Sequence, residues 1–377
     1  MKILEFITPS NIGGAENYVV NLSKKFAEKG HEVFILSSSG KNGKNPELSV
    51  LKFLQNSGLP FKITGAGLKY DPIAILSIAY FIKKNKFDII HTHLSKANFI
   101  GALAAKIAGI KSVSTAHGLN KRTQYKYSDY VICVSEAVRE NLISQGMNAG
   151  KLGVIYNGID TEKFNPEAEG LTKKKYSPST PLADSASSSS GQETNGRGKS
   201  FNVGMLARLS REKGVELFLE AAKFVLLKIP ESNFFIAGTG LLKDELIKKA
   251  KDLGIYNSVY FVGFVGGNLV SFINELDAVV FPSLKEGLPL ALLESMAMEK
   301  AVITSDAGGM PEVVEDGRNG FTVKSGDINA IYQKLIFVYN NTDAAMEIAK
   351  EARKTITEKF NINNCAEKTL DLFSKYV

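Results

Sequence analysis

The chain has 377 residues, which is longer than one typical hydrophobic core, so two domains are expected. An apolar fraction of 44% is ordinary for a soluble protein, and two cysteines are too few for a disulfide framework. The net charge of +7 is modest, and no recognition-helix, zinc-finger or RNA-binding motif accompanies the basic clusters, so no nucleic-acid partner is expected. The N-terminus opens on a strand pattern instead of a signal peptide, and the longest apolar runs are too short to span a bilayer, which predicts a cytoplasmic protein.

Short β-branched runs alternate with helical patterns through the first half of the sequence. The run KILEFIT is followed by the helical pattern GAENYVVNLSKKFAEK and then by EVFILSS. The same rhythm continues through FDIIHTH, SVSTAH, DYVICVS and KLGVIYNG. Strands that alternate with helices are typical of a parallel sheet. We therefore predict one doubly wound α/β domain over residues 1–165.

A Ser-rich segment interrupts this rhythm and divides the chain. Residues 166–200 contain SPSTPLADSASSSSGQETNGRGKS, which offers almost nothing to bury and is interpreted as a flexible linker. The rhythm then restarts and predicts a second parallel-sheet domain over 201–359. The last helix, about 360–377, has the apolar spacing of a helix that packs on a larger body. Two such domains imply a central cleft, with ligands bound beyond the C-terminal ends of the strands.

Glycine and histidine residues follow the predicted strands of the first domain. Gly13 and Gly14 precede a helix, where their N–H groups could approach an anion, although a tight turn with positive φ explains glycine almost equally well. His91, His93 and His117 lie at two neighbouring strand ends. They suggest hydrogen bonding to a polar substrate, chiefly by His117. A zinc site is less favoured because no third carboxylate or thiolate shares the spacing.

Charged residues follow two predicted strands of the second domain. Arg208 and Lys213 could clamp a diphosphate, and a solvated cationic turn is the equal alternative when they are considered alone. In EGLPLALLE, Glu286 would lie just outside a helix started by Pro289, and Glu294 about a turn and a half inside it. Such a pair is better placed to hold hydroxyl groups than to flank a glycosidic bond. The apolar neighbours of Glu294 weigh against a solvated surface.

Six motifs together resemble glycosyltransferase family 4, whose members retain the anomeric configuration of the sugar. The resemblance covers nearly the whole chain outside the Ser-rich segment, and the Glu-x7-Glu spacing is its most specific element. The motifs are GGAE at 13–16, HTHLSKA at 91–97, TAHG at 115–118, YNGID at 156–160, ARLSREKG at 207–214 and EGLPLALLE at 286–294. The resemblance implies the GT-B fold, with two Rossmann-like domains facing a central cleft and a final helix that returns to the first domain.

The resemblance also implies roles for individual residues. Four would act at the reacting carbon or on the leaving diphosphate, namely His117, Glu286, Arg208 and Lys213. The donor-binding set overlaps with them and comprises Gly13, Gly14, Arg208, Lys213, Gly263, Phe264, Val265, Glu286, Gly287, Leu288 and Glu294. Within it, Glu294 would hold the ribose and Glu286 the transferred sugar. The strip Gly263, Phe264 and Val265 would edge the base, and Gly287 and Leu288 would offer backbone N–H groups.

No cofactor is implied beyond a nucleotide-diphosphate sugar as donor substrate. The chain contains no Asp-x-Asp motif, consistent with a metal-independent enzyme in which arginine and lysine replace the divalent cation. The acceptor would be a sugar or a lipid-linked sugar in polysaccharide, lipopolysaccharide or glycolipid synthesis. The basic clusters of the first domain would suit a peripheral contact with the inner membrane face. A nucleotide-sugar epimerase of the same fold and a catalytically silent binding protein remain alternatives. A dinucleotide oxidoreductase is disfavoured because the glycine fingerprint is absent.

Overall fold

The computed structural model describes residues 1–9, 13–38, 46–65, 71–168 and 200–377, without the side chains of 46–49. The linker predicted over 166–200 lies almost entirely outside these ranges. The chain forms two compact units. The first comprises Met1–Asp160, Glu286–Leu290 and Glu358–Val377, and the second comprises Thr161–Lys285 and Ala291–Thr357. The short segment Glu286–Leu290 thus groups with the first unit, whereas the sequence-based division assigned it to the second.

The first unit is built on one parallel sheet. Its strands are β1 (Lys2–Ile7), β2 (Glu32–Ser38), β3 (Phe61–Thr64), β4 (Ile89–His93), β5 (Lys111–Ala116), β6 (Tyr130–Cys133) and β7 (Leu152–Val154). Its helices are α1 (Gly14–Glu28), α2 (Pro46–Gln55), α3 (Pro72–Asn85), α4 (Ser95–Ala108), α5 (Glu136–Ser144) and, at the C-terminus, α12 (Ile362–Phe373). The rhythm predicted from the sequence is present, but α2, β3 and α3 were not predicted from it.

The strand order of this sheet is β3-β2-β1-β4-β5-β6-β7. Its winding direction reverses between β1 and β4, and ligands of doubly wound sheets bind beside such a switch point. The register pairs Glu5 with His91 and Ile7 with His93 across these two strands. Because alternate residues of a strand face the same side, Glu5 lies on the side of Ile3 and Ile7, beneath α1 and α12.

Helix α12 packs against α1 on this side of the sheet. The rings of Phe26 and Phe373 meet edge to face with 5.8 Å between their centroids. Tyr18 on α1 and Cys365 on α12 form a buried hydrogen bond of 3.3 Å between Oη and Sγ. These contacts place the C-terminal helix over the switch point of the first sheet.

The second unit contains a second parallel sheet. Its strands are β8 (Asn202–Leu206), β9 (Asn233–Ala237), β10 (Val259–Gly263), β11 (Ala278–Phe281), β12 (Ala301–Ser305) and β13 (Phe321–Val323). Its helices are α6 (Val215–Lys228), α7 (Lys243–Asp252), α8 (Leu269–Asn274), α9 (Leu290–Ala297), α10 (Ile328–Asn340) and α11 (Thr342–Lys359). The order β10-β9-β8-β11-β12-β13 is the doubly wound order with its switch point between β8 and β11.

Local differences from the expected elements occur around α6 and α9. Helix α9 begins at Leu290, so Pro289 stands immediately before it and not in its first position. Residues Arg211–Lys213 form a separate 3-10 turn before α6, since Gly214 adopts φ 68° and interrupts the helix there. Among the described residues, no helix is both long enough and apolar enough to span a membrane.

Candidate active site

The segment Glu286–Leu290 is fixed within the first unit by contacts of its backbone. The hydroxyl of Ser135 donates to the carbonyl of Gly287 over 3.3 Å, and the amide of Asn157 donates to the carbonyl of Leu288 over 2.9 Å. A Cβ atom at position 287 would overlap with the carbonyl oxygen of His117 and lie 2.9 Å from the Cα of Gly118. The structure therefore brings together the predicted residues Gly287, Leu288 and His117.

The paired glycines at the start of α1 lie beside the same segment. Gly13 is extended, with φ −153°, and its N–H donates to the Glu16 carboxylate over 2.9 Å. Gly14 is also outside the left-handed region, so the alternative of a tight turn that needs positive φ is wrong. Among the described residues, an added Cβ would meet only ordinary contacts, at 3.4 Å from Glu16 Oε2 for Gly13 and 3.5 Å from Leu290 Cδ1 for Gly14. Neither the backbone conformation nor the packing of the described residues explains these glycines.

A buried series of hydrogen bonds, called here the histidine chain, links one carboxylate and three imidazoles. Its members are Glu5, His91, His93 and His117. The two carboxylate oxygens of Glu5 contact different rings, His91 Nδ1 at 3.0 Å and His93 Nε2 at 2.7 Å. His93 Nδ1 then lies 3.0 Å from His117 Nε2, and His91 Nε2 lies 2.7 Å from the hydroxyl of Thr115. Glu5, His91 and His93 are 0% exposed, whereas His117 is partly exposed. Only the last ring of the chain can therefore touch a ligand.

The burial of these groups determines their charge. Burial by itself raises the pKa of Glu5, but the adjacent rings of His91 and His93 outweigh it and lower the pKa to about 2. Burial, with a smaller contribution from His91, lowers the pKa of His93 to about 4. Burial and then the two other rings hold the pKa of His117 well below its usual value. At neutral pH, therefore, the Glu5 carboxylate is ionised, and His93 and His117 are uncharged.

Glu5 was not identified from the sequence. No third carboxylate or thiolate shares the sequence spacing of His91 and His93, but β1 brings the Glu5 carboxylate to them from a distant position, with nitrogen and oxygen atoms of the three side chains within 4.8 Å of one another. Hydrogen bonds among the three groups already account for that closeness. The only signal for Glu5 in the sequence is that an acidic residue occupies an inward-facing position of the otherwise apolar strand β1.

Backbone strain marks the residue that follows His93. Leu94 begins the turn into α4 with φ 71° and ψ 156°, a region that non-glycine residues rarely occupy. Strain of this kind costs of order 1–3 kcal/mol and persists where the surroundings fix it. The strained residue Leu94 is thus the direct neighbour of His93 in the histidine chain.

In the second unit, the ends of β8 and β11 are joined at the switch point. The backbone N–H of Leu284 donates to the carbonyl of Glu212 over 2.8 Å. A Cβ on Gly214 would lie 2.9 Å from the carbonyl carbon of Pro282, so only glycine fits between the two loops. The predicted residues Arg208 and Lys213 are therefore carried on a turn that lies against the loop leading to Glu286.

Arg208 is available for a ligand but has a partner in this structure. Its side chain is 68% exposed and forms an ion pair of 2.7 Å with Glu212. Exposed ion pairs of this kind contribute about 0–1 kcal/mol, so an incoming diphosphate can replace the partner at little cost. Arg208 thus combines exposure with a position at the switch point.

Glu294 lies on α9 in the second unit. Burial raises the pKa of its carboxyl to about 7, and the positive charge of Lys163 only partly opposes this effect. Near neutral pH the carboxyl therefore exists in both protonation states. Such a group can accept from and donate to hydroxyl groups.

The strip predicted to edge the base follows β10. Gly263 has φ 73°, and its carbonyl accepts a hydrogen bond of 2.7 Å from the N–H of Gly238. Phe264 is 56% exposed. Val265 continues the turn into a short 3-10 segment. No contact among the described residues tests the proposed role of this strip.

The two halves of the chain match two families of glycosyltransferase domains. Residues 12–163 match the family described as Glycosyltransferase Family 4, and residues 190–355 match the one described as Glycosyl transferases group 1. The chain belongs to the family of GT-B glycosyltransferases, as its motifs predicted. A likeness to a solved structure, Anabaena Alr3699/HepE in complex with UDP-glucose, supports the fold, with a TM-score of 0.83, 21% identity and full coverage of both chains.

Two curated relatives carry the resemblance over most of the chain. One is the UDP-Gal:alpha-D-GlcNAc-diphosphoundecaprenol alpha-1,3-galactosyltransferase of Escherichia coli, 30% identical over 326 residues, which are 80% of this chain and 79% of the relative. The other is the capsular polysaccharide biosynthesis glycosyltransferase CapM of Staphylococcus aureus, 24% identical over 373 residues, which are 93% and 91% of the two chains.

Proposed function

We propose that this glycosyltransferase moves a sugar from a UDP-sugar to a lipid-linked acceptor, with retention at the anomeric carbon and without a metal ion. The observation that carries the proposal is the assembly of Gly287 against His117, beside Gly13 and Gly14, within the first unit. The donor class is supported by the E. coli relative, whose name specifies UDP-Gal and a diphosphoundecaprenol-linked sugar. The names of relatives also support a place in polysaccharide or glycolipid synthesis.

The proposed donor site holds the diphosphate of the donor with cationic side chains and its ribose with a carboxyl group. Arg208 and Lys213 bind the diphosphate and stabilise the charge that develops on the leaving nucleotide. Backbone N–H groups of Gly287 and Leu288 contribute to the same task. Glu294 holds the ribose hydroxyls, for which its mixed protonation near neutral pH is suited.

The proposed sugar site lies on the first unit. Gly13 and Gly14 leave the space at the start of α1 open, and a backbone without side chains can approach phosphate closely. His117 contacts the transferred sugar near the reacting carbon, and Glu286 holds its hydroxyls. Because His117 is uncharged at neutral pH, it acts by hydrogen bonding and not as a cation.

The proposal includes neither a metal ion nor a protein nucleophile. Two cations at the switch point supply the positive charge that a divalent ion would otherwise bring. Retention would proceed by departure of the nucleotide diphosphate and attack of the acceptor hydroxyl on the same face, with the hydroxyl proton passing to the oxygen of the departing diphosphate. No protein nucleophile is required by this scheme.

We place the acceptor at the inner membrane face, with α3 as the contacting surface. Ile73, Leu76 and Tyr80 are 79%, 60% and 66% exposed, respectively, and their spacing of three and four residues puts them on one face of the helix. Lys83 and Lys84 continue this face at the end of α3. An apolar stripe followed by lysines fits an anionic lipid surface, where each lysine contributes about 1 kcal/mol.

Calorimetric titration with UDP, GDP, ADP and CMP in the presence of EDTA tests the donor assignment. We expect UDP alone to bind tightly, and Glu294→Ala to weaken that binding at least tenfold by removing the ribose contact. Tight binding of a different nucleotide would refute the donor class. An absolute requirement for Mg²⁺ or Mn²⁺ would refute metal independence.

A further inference from the structure

The hydrogen bonds of the histidine chain take their direction from the positions of the heavy atoms together with the ionised state of Glu5. An ionised carboxylate has only acceptor atoms, so both rings that contact Glu5 must donate to it. His91 then carries its proton on Nδ1, and His93 carries its proton on Nε2. The remaining nitrogen of the uncharged His93 ring, Nδ1, is an acceptor. The hydroxyl of Thr115 lies 2.7 Å from His91 Nε2.

The same argument extends to His117. Since Nδ1 of His93 is an acceptor, the bond of 3.0 Å to His117 requires a proton on His117 Nε2. Nδ1 of His117 is then left as an acceptor. The ring of Tyr18 meets His117 edge to face, with 5.4 Å between the centroids and an angle of 81°, and this contact restricts rotation of the imidazole.

We propose that Glu5 and His93 are positioning residues that hold His117 in its Nε2–H tautomer, so that Nδ1 accepts a hydrogen bond from a hydroxyl of the transferred sugar. The inference rests on the proposed function for the identity of the ligand, but the tautomer itself does not depend on it. An acidic residue that orients a histidine through a hydrogen bond is a known device, and the wrong tautomer removes most of the benefit of such a histidine. Here the orienting carboxylate acts through an intervening ring.

The reverse direction of the chain is the main alternative. A protonated Glu5 could donate to His93, which would donate to His117 and leave a donor on its outer nitrogen. The low pKa of Glu5, about 2, opposes this state at neutral pH. A purely structural role is the second alternative, because a buried carboxylate must be paired wherever it occurs. Neither alternative requires the outer nitrogen of His117 to be an acceptor.

Nitrogen-15 NMR of the full-length protein measures the tautomers directly. The chain contains only four histidines, so single substitutions assign every ring. We expect His117 and His93 as Nε2–H tautomers, and His91 with a proton on Nδ1. An Nδ1–H tautomer of His117 would overturn the proposal whether or not the protein transfers sugar. Displacement of the His91 and His93 signals by stoichiometric Zn²⁺ would overturn it as well, by identifying the cluster as a metal site.

Two substitutions of His93 separate positioning from packing. In His93→Gln the carboxamide can donate to Glu5 and accept from His117, so the direction of the chain is kept. In His93→Leu the chain is broken. We expect kcat/KM for the UDP-sugar to fall about tenfold in His93→Leu and to stay within about threefold of wild type in His93→Gln, the size of one oriented hydrogen bond. Equal losses in both variants would show that His93 serves packing alone.

Glu5→Gln provides a test that does not depend on folding of the leucine variant. Because His91 and His93 contact different oxygens of Glu5, the carboxamide turns its NH2 group toward one of them, and that ring must change its tautomer. We expect His93 and His117 to change tautomer together if the NH2 group faces His93, and to keep their tautomers together if it faces His91. A change at either His93 or His117 without a change at the other would refute the relay. If neither wild type nor variants act on UDP-sugars while the tautomers are as expected, the proposed function fails and the relay stands.

Discussion

The peptide at Gly287 lies directly against the carbonyl oxygen of His117, so closely that no side chain fits between them. One residue comes from the loop after β11 and the other from the end of β5. Their contact joins the motif EGLPLALLE to His117, which is the one member of the histidine chain that is partly exposed. Any change that separates them should disturb both.

Gly287→Ala tests this contact. The added methyl would overlap with a backbone carbonyl, which cannot move aside as a flexible side chain can, so we expect a loss of about 1–3 kcal/mol in the free energy of unfolding or displacement of the loop. Chemical denaturation measures the first effect, and weaker UDP binding reports the second. Gly118→Ala is the matched control, because a Cβ there has open space. Equal stability and UDP affinity for Gly287→Ala and wild type would contradict the geometry.

Gly14→Ala should separate folding from ligand binding. Gly14 opens α1 without positive φ and with room for a methyl group, and alanine favours helix by up to about 1 kcal/mol over glycine. The thermal stability of the ligand-free variant should therefore equal or exceed that of wild type. Its stabilisation by UDP should decrease, because the methyl occupies space left for phosphate. Gly65→Ala, whose added Cβ would meet no atom of the described residues within 4 Å, should respond to UDP as wild type does.

Substitutions of Arg208 should alter donor binding with little effect on stability. Its exposed pair with Glu212 contributes at most about 1 kcal/mol to folding. Loss of a charged hydrogen bond to diphosphate costs about 1.5–3 kcal/mol, so Arg208→Ala should weaken UDP binding by roughly one to two orders of magnitude. Arg208→Lys should restore this only in part, since lysine lacks the planar fork.

The control for Arg208 is Arg211→Ala on the same turn. Arg211 is exposed and has no proposed role, and its loss changes the net charge by the same amount. Calorimetry of the three variants compares them directly. Equal effects of Arg208→Ala and Arg211→Ala would show that only general electrostatics is involved.

The carboxyl of Glu294 should make folding stability depend on pH. Its pKa is about 7 in the folded state against 4.5 for the unperturbed group, so the folded protein binds more protons between these values. Stability from this group is therefore present below pH 4.5 and decreases as the pH rises to 7, by at most about 3 kcal/mol. The lowered pKa of His93 makes folding stability rise with pH over part of this range, which opposes the effect of Glu294. Glu294→Gln must therefore be compared with wild type at each pH.

The difference in unfolding free energy between Glu294→Gln and wild type should grow in favour of the variant from pH 4.5 to 7. Urea denaturation across that range measures it. A difference that does not vary with pH would mean that the carboxyl titrates normally in the folded protein.

The exposed stripe of α3 predicts binding to anionic vesicles. Replacing Ile73 and Leu76 together by serine should weaken binding at least tenfold, since each apolar side chain contributes about 1.5–3 kcal/mol when fully buried. Leu227→Ser on α6, where the side chain is 71% exposed, is the control. Vesicle flotation at low and high salt measures both effects. Binding of wild type that does not respond to anionic lipid would exclude this surface.

The sequence predicted the alternation of strands and helices because each element has its own local period. It also supplied the candidate site residues, which stay predictions, because motifs such as EGLPLALLE and ARLSREKG carry their chemistry within a few residues. It did not predict α2, β3 and α3, and it treated the apolar residues of α3 only as a run too short to span a bilayer. The start of α9 was placed one residue too early because a proline can occupy or precede the first helical position.

Long-range relationships were not visible in the sequence. Glu5 is separated from His91 by 86 residues, and only the register of β1 with β4 brings them together. The membership of Glu286–Leu290 in the first unit likewise depends on partners at Ser135 and Asn157. No local period or spacing encodes such pairings.

Transfer from UDP-galactose or UDP-glucose to a lipid-diphosphate-linked N-acetylglucosamine in EDTA, followed by proton NMR of the product, is the decisive test of the proposed function. We expect an α-linked product from one of these α-linked donors, formed without metal and lost in His117→Ala and Glu294→Ala. A β-linked product, or transfer that appears only when a divalent cation is added, would contradict it. Undiminished transfer by the Glu294→Ala variant would contradict the assigned donor site.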